Sequence, residues 1–361
     1  MNIRDWSSDV CSSDLASFDE VGFGNTASNQ FGFTVSTNLP TATLASADVA
    51  DDAVTSQSAI LFNAAFSDGI APYETFEPLL SSDVVATNSN VTTTGLVNPL
   101  EFRVEPLSDG PVSVQIPTGA VQDQASNPNA SSSIYNFIYD STRPTVALSS
   151  SGINNSDITN DEGPYTFEAT FTDTTTIDQF DPTDSSFLNT TNATISNPMR
   201  TGNTFSFDVT ANGDGVVSLN IPENVSFDEA GFGNTASNTY TYTLSTGSPV
   251  ASLFSSEVAD DGVTSQSTVL FNAAFVGGSP PYDGFDATQF SDVLTTNAVV
   301  DVGGLVDPFE FNIEPVTEGI VEVQILDGAI TDQASNPNQI SPVYDFVYDA
   351  TRPSVVLSST S

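Results

Sequence analysis

The sequence predicts an all-β chain, a string of antiparallel β-sandwiches of about 105 residues each. Three observations predict it. The chain repeats itself without a gap, and apolar residues alternate with period two at matching places in every repeat. In addition, no stretch over ten residues carries a convincing 3.6-residue period.

The repetition organises everything else. Ala47–Phe66 (ADVADDAVTSQSAILFNAAF) returns 209 residues later as Ser256–Phe275 (SEVADDGVTSQSTVLFNAAF). Ala16–Asn29 (ASFDEVGFGNTASN) returns at the same separation as Val225–Asn238 (VSFDEAGFGNTASN). Asp123 and Asp332 both open DQASNPN, and Asp140 and Asp349 sit in YDSTRP and YDATRP.

Within the 209-residue unit a looser echo links Asp109–Pro117 (DGPVSVQIP) to Asp214–Pro222 (DGVVSLNIP) and Glu318–Leu326 (EGIVEVQIL). Asp19, Asp123, Asp228 and Asp332, each ahead of a Gly/Ser-Asn turn, are spaced 104, 105 and 104 apart. One repeat is therefore close to the ~100 residues of a single immunoglobulin-type sandwich. The repeats alternate in type: B over 36–140, A over 141–245 and B over 246–349. Residues 16–35 read as the tail of a preceding A repeat and 350–361 as the first strand of a following one, so the sequence reads as a fragment of a longer array.

Each strand is legible as alternation. Ile60/Phe62/Ala64/Phe66 corresponds to Tyr165/Phe167/Ala169/Phe171 and Val269/Phe271/Ala273/Phe275. Next come Leu100/Phe102/Val104, Phe205/Phe207/Val209 and Phe309/Phe311/Ile313, then Val112/Val114/Ile116, Val217/Leu219/Ile221 and Val321/Val323/Ile325. Tyr135/Phe137/Tyr139, Tyr240/Tyr242/Leu244 and Tyr344/Phe346/Tyr348 close the repeats. Asp109-Gly110 and Asp214-Gly215 supply hairpin turns that tolerate positive φ. With an apolar, mostly aromatic-rich set of inner faces, each repeat can bury its own core, and the array reads as beads on a string.

The first fifteen residues stand apart. Asp5–Leu15, DWSSDVCSSDL, resembles the translation of a standard short-read sequencing adapter, so 1–15 is read as an artefactual leader. It holds the only Trp (Trp6) and the only Cys (Cys11).

Composition narrows the function. The formal charge is −41, or −39 once the leader's one Arg and three Asp are removed, and the chain has no His and no Lys. Such a surface repels phosphate backbones, which excludes nucleic acid as a partner. The usual catalytic bases, nucleophiles and Schiff-base amines are missing, and paired carboxylates normally work in a cleft of a larger unrepeated domain. The chain is read as no enzyme. Zinc lacks its nitrogen and sulfur ligands, which leaves hard, oxygen-seeking cations, Ca2+ above all. No apolar run approaches a membrane span.

The order of motifs resembles the bacterial immunoglobulin-like (Big) domains that tile large surface adhesins and biofilm-associated proteins. The residues that carry the resemblance are Asp140–Val146 (DSTRPTV), Phe167–Phe171 (FEATF), Phe180–Asp184 (FDPTD), Asn192–Asn197 (NATISN), Asp214–Pro222 and Asp228–Asn234 (DEAGFGN). The B repeats depart from it with DQASNPN. The A-to-B linkers, Ser36–Pro40 and Ser245–Pro249, lack the aspartate of the B-to-A linkers.

The resemblance implies immunoglobulin-like sandwiches on the cell surface or secreted, and Ca2+ near repeat junctions. Ligand candidates are Asp51, Asp52, Asp123 and Asp140 around one B repeat, with Asp260, Asp261, Asp332 and Asp349 as their copies. The A repeat offers Asp157, Asp161 and Asp228. The alternative for each is an ordinary turn aspartate that hydrogen-bonds its own backbone.

Three functions compete. The leading one is a non-catalytic spacer of a bacterial adhesin, with neighbouring repeats as partners and a host or matrix surface reached through domains outside this sequence. The others are glycan- or protein-binding modules, with Tyr73, Phe76, Tyr282 and Phe285 as a sugar-stacking face against loop packing, or an accessory region of a secreted hydrolase. Any metal stiffening is expected at alternate joints, because only the B-to-A linkers are acidic.

Overall fold

The computed structural model describes residues 20–24 and 32–358. The adapter-like leader and most of the Ala16–Asn29 copy lie outside them. Among the described residues every regular element is a strand. The chain divides into two compact units, one within residues 1–51, 59–105 and 113–136, the other within 52–58, 106–112 and 137–361.

In the second unit two sandwiches can be followed completely. In the first, a sheet runs in the order Ala193–Thr201, Thr204–Ala211, Tyr165–Thr172, Thr145–Ser150. The facing sheet runs Ile158–Thr159, Tyr240–Leu244, Gly215–Asn220, Asn189–Thr191. Lettered along the chain this is D-E-B-A against A′-G-F-C, the immunoglobulin arrangement.

The second sandwich repeats it. One sheet is Val250–Phe254, Val269–Val276, Glu310–Pro315, Ala298–Asp301, and the other is Gly262–Thr264, Tyr344–Tyr348, Gly319–Ile325, Val293–Thr296. In the first unit the sheet Thr41–Ser46, Ile60–Ser67, Glu101–Pro106, Ser89–Thr92 has the same order as its two counterparts.

Alternation puts the predicted residues inside. Phe167, Phe207, Val217, Leu219 and Tyr242 share one core, and Phe271, Phe311, Val321, Val323 and Phe346 share another. The same aromatic trio recurs three times. Phe62 stacks on Phe102 at 5.7 Å and meets Tyr135 edge-on at 5.1 Å. Phe167, Phe207 and Tyr240 do the same, as do Phe271, Phe311 and Tyr344. Each tyrosine then donates its hydroxyl across the sandwich to a backbone carbonyl, of Val49, Ile153 or Val258. The apolar body is buried and the polar tip is satisfied.

One feature differs from expectation. Within the sheets all strand pairs are antiparallel except one short edge pair in each sandwich, Ile158–Thr159 beside Tyr240–Leu244 and Gly262–Thr264 beside Tyr344–Tyr348, both parallel. The loop aromatics pack within their loops, the alternative to a sugar-stacking face. Phe76 is buried against Phe66 and Phe102, and Phe285 packs on Phe275 and Phe309. Tyr73 and Tyr282 tilt against the same phenylalanines and donate to the carbonyls of Asp68 and Gly277. No helix among the described residues is long and apolar enough to cross a membrane.

Candidate metal centre at the Asp140 linker

Strand register places the site. Thr145, first residue after the linker, pairs with Thr172, so the linker lies beside the loop that starts at Asp173. Thr235 donates its amide to Pro144 O, which brings the Asp228–Asn234 loop to the same place, and an isolated bridge joins Ile177 to Asp228. One carboxylate oxygen from each of Asp140, Asp173 and Asp228 lies within 4.8 Å of the other two. Two oxygens that both bind one calcium at about 2.4 Å can be at most about 4.8 Å apart, so the spacing fits a shared cation.

Burial and partners sharpen the point. Asp140 is fully buried and Asp228 is 5% exposed. Thr175 Oγ1 lies 2.9 Å from Asp140 Oδ2 and 3.0 Å from Asp173 Oδ2, so its single proton is shared between the two carboxylates. Asp228 Oδ1 accepts the Phe232 amide at 2.8 Å. Asp228 Oδ2 and Asp173 Oδ1 are buried and accept nothing. Orphaned carboxylate oxygens are costly away from water, and a cation is one partner that would satisfy them.

Burial pushes the Asp228 carboxyl above the usual carboxylate range, and the Asp140 charge adds to it. Burial likewise raises Asp173, with Asp140 and Asp228 beside it. No basic side chain among the described residues pairs with them. Arg143 sits three residues along, but its guanidinium donates to Gly233 O, Asn234 O and Asn224 Oδ1 and pairs loosely with Glu223.

The loop itself is held by Asn234, fully buried. Its Oδ1 accepts the amides of Val225 and Ser226, and its Nδ2 donates to Pro222 O and Thr235 O. With every polar atom spent on backbone, Asn234 is scaffold. Asn203 fastens the other loop by accepting from the Ile177 amide and donating to Thr175 O.

The linker is also tied back. Asp109 accepts the Ser141 amide, the Ser141 hydroxyl and the Thr142 hydroxyl. Asp214 does this for Thr246 and Glu318 for Ala350 and Thr351.

The equivalent joint at Ser245 is built from different groups. Ser245 replaces Asp140, Gly277-Gly278 replaces Asp173-Thr174, and Asn336 replaces Phe232. Asp332 keeps the place of Asp228 and its Oδ1 accepts the Asn336 amide at 2.8 Å, as Asp228 does from Phe232. Its Oδ2 is not orphaned. It accepts the Ser279 amide at 2.8 Å and the Asn336 side-chain Nδ2 at 3.1 Å. Burial pulls Asp332 up, but these donors outweigh it and hold the carboxyl below the usual range. Asp123, the copy of Asp332 in the first unit, is fastened and lowered in the same way by Ile70, Ala125 and Asn127.

The structure thus brings together Asp140 and Asp228 and adds Asp173 and Thr175, which no motif marked. Asp123 and Asp332 lie in equivalent loops saturated by amide donors. Asp349, the copy of Asp140, is exposed and accepts the Thr351 amide. The remaining candidates lie elsewhere. Asp51 accepts the Asn136 amide and Asp260 the Asp345 amide, each four residues back along the strand from Asp140 or Asp349, about 13 Å of extended chain. Asp52 and Asp261 are left-handed turn residues, with φ of 61° and 60°. Asp157 accepts both nitrogens of Asn154, and Asp161 caps Gly163.

No protein-family model and no curated protein matches the sequence. Among solved structures the chain is similar to the Escherichia coli adhesin FdeC (10% identity, 85% of this chain and 96% of that one, TM-score 0.34). It is also similar to Yersinia pseudotuberculosis InvD (11%, 86% and 98%, TM-score 0.36). A third is invasin, a bacterial integrin-binding protein (11%, 86% and 60%, TM-score 0.34). The all-β, immunoglobulin-like class stands on the sheets themselves.

Proposed function

We propose that the chain is a non-catalytic spacer of a bacterial cell-surface or secreted adhesin. In this reading residues 36–140, 141–245 and 246–349 are successive immunoglobulin-like sandwiches, and Ca2+ stiffens the linker at Asp140. The observation that carries the reading is the linker aspartate itself. Asp140 is fully buried, with an unpartnered Asp228 oxygen beside it, where one repeat ends and the next begins. A linker that carries no load has no reason to bury a charge among two others.

Asp140, Asp173 and Asp228 would hold the ion, with carbonyls and water completing the six to eight oxygens calcium needs. Bound there, the ion supplies the positive charge that the chain lacks around the site. The linker clamps at Asp109, Asp214 and Glu318 fit the same purpose, since each ties a linker back to a preceding hairpin.

Small-angle scattering and thermal melting of the full chain, in millimolar Ca2+ and in chelator, test the reading. An elongated particle whose melting temperature rises with Ca2+ is expected. A compact globule would sink the spacer, and identical melts with identical scattering would remove the metal.

A further inference from the structure

The two kinds of joint differ at a loop position that puts a side-chain donor on the carboxylate in only one of them, beside the Ser279 amide that reaches the same oxygen. The Asn336 side-chain nitrogen donates to two acceptors at once, Asp332 Oδ2 at 3.1 Å and the linker carbonyl Ser245 O at 2.8 Å. It therefore bridges loop and linker as a cation bound to Asp140 and Asp228 would. In the first unit Asn127 Nδ2 does the same to Asp123 Oδ2 and Ser36 O, at 3.1 and 3.0 Å. In the A repeat the position is Phe232, which has no side-chain donor, and Asp228 Oδ2 stays empty-handed.

The neighbouring positions change in concert. Thr175 Oγ1 reaches the Asp140 carboxylate, whereas its counterpart Ser279 Oγ reaches the Ser245 hydroxyl at 2.8 Å. Gly278, at φ +61°, turns the chain so tightly that a Cβ there would lie 2.6 Å from Asp332 Oδ2. That turn delivers the Ser279 amide to the same oxygen. The corresponding Thr175 amide instead goes to Asp173 Oδ2.

We propose that the Asn336 amide does at the Ser245 linker the work of a divalent cation, so that the residue at this loop position decides which joints of the array respond to metal. An amide NH2 offers two donors but no net charge, and it suits one carboxylate and one carbonyl. Three carboxylates need a cation. The Asn joints are then permanently closed, while the Phe joint closes only with metal. This inference rests on Ca2+ as the occupant of the Asp140 centre.

Asn336→Asp in the full chain is the test, because it is isosteric, removes both donors and adds a carboxylate beside Asp332. Hydrogen exchange is followed over 244–250 and 277–283, and Ca2+ is counted by calorimetry. In chelator the variant should exchange about tenfold faster there than wild type, the loss of about two hydrogen bonds. Millimolar Ca2+ should restore protection, with one more ion bound than in wild type. Asn336→Ala should exchange faster in both conditions and gain no ion.

Wild-type exchange by both variants in chelator would show that the amide fastens nothing. A loosened Asn336→Asp joint that Ca2+ neither binds nor restores would show that it does not stand in for an ion. Failure of the Asp140 centre is read separately, from wild-type Ca2+ binding and its loss in Asp173→Asn.

Discussion

The Asp228 loop and the Asp332 loop share a backbone, a buried scaffold asparagine and a carboxylate that accepts the amide four residues on, yet their carboxyls shift in opposite directions. Burial is the first cause acting on both. What differs is supply. Asp332 receives amide donors on both oxygens, and Asp228 receives them on one while facing Asp140. A buried carboxylate is thus either an asset or a liability according to the donors around it, and here the Gly278 turn and the Asn336 side chain together tune the loop.

The largest expected effect tests the shared part. Asn338 holds the Asp332 loop as Asn234 holds the other, accepting the Ile330 amide and donating to Leu326 O and Gln339 O. Asn234→Ala and Asn338→Ala each strand several buried backbone groups, so both should cost about 3 kcal/mol in denaturant unfolding. The two losses should be similar and independent of Ca2+. A loss confined to one loop would mean that the scaffolds are not equivalent.

Metal comes next and should separate the loops. At ten times Kd, Ca2+ adds about 1.4 kcal/mol to wild type. Asp173→Asn should lose that increment and, in chelator, be more stable than wild type, because it removes a charge from the buried cluster. Asp332→Asn should keep the increment. An undiminished Ca2+ response in Asp173→Asn would place the ion elsewhere.

Tyr242 contrasts the cores under the loops. Its hydroxyl is buried without a partner and its pKa is pushed up to about 12, whereas the matching residues are Phe137 and Phe346. Tyr242→Phe should stabilise by about 1 kcal/mol; a loss of stability would reveal a partner for the hydroxyl.

The smallest effect is the response to acid, with opposite signs in chelator. Asp173 and Asp228 have folded values above the unfolded ~3.9, so the native state binds more protons. Their destabilisation is full at neutral pH and fades as pH falls through the raised values to about 3.9. Asp332 has a lowered value, so its contribution is present above about 3.9 and is lost as pH falls below. Unfolding of Asp173→Asn and Asp332→Asn against wild type at pH 7, 5 and 3.5 should show an advantage and a deficit that both shrink. A growing difference in either series would contradict the assigned direction.

The sandwich cores were legible because period-two alternation is a local property, written residue by residue in strands such as Tyr165–Thr172. The acidic linker was legible too, since Asp140 stands where Ser245 stands one repeat on. Asp173 was not. Nothing in the polar run Thr172–Thr176 distinguishes a ligand from a turn, and only the pairing of Thr172 with Thr145 carries it to the linker. Asp51, Asp157 and Asp260 show the reverse, aspartates near a junction in sequence whose side chains cap nearby backbone. The short parallel strands carry no signal in the sequence, because two or three residues show no period.

Each joint is split across a boundary: its linker residue ends one repeat and its loop residue belongs to the next. Asp140 is matched to the Phe232 loop, and Ser245 to the Asn336 loop. Copying a single 105-residue repeat would set an aspartate linker against an amide loop, or a serine linker against an orphaned carboxylate. Copying two at once preserves both matches, which makes the 209-residue step the shortest duplication that lengthens this array without a mismatched seam.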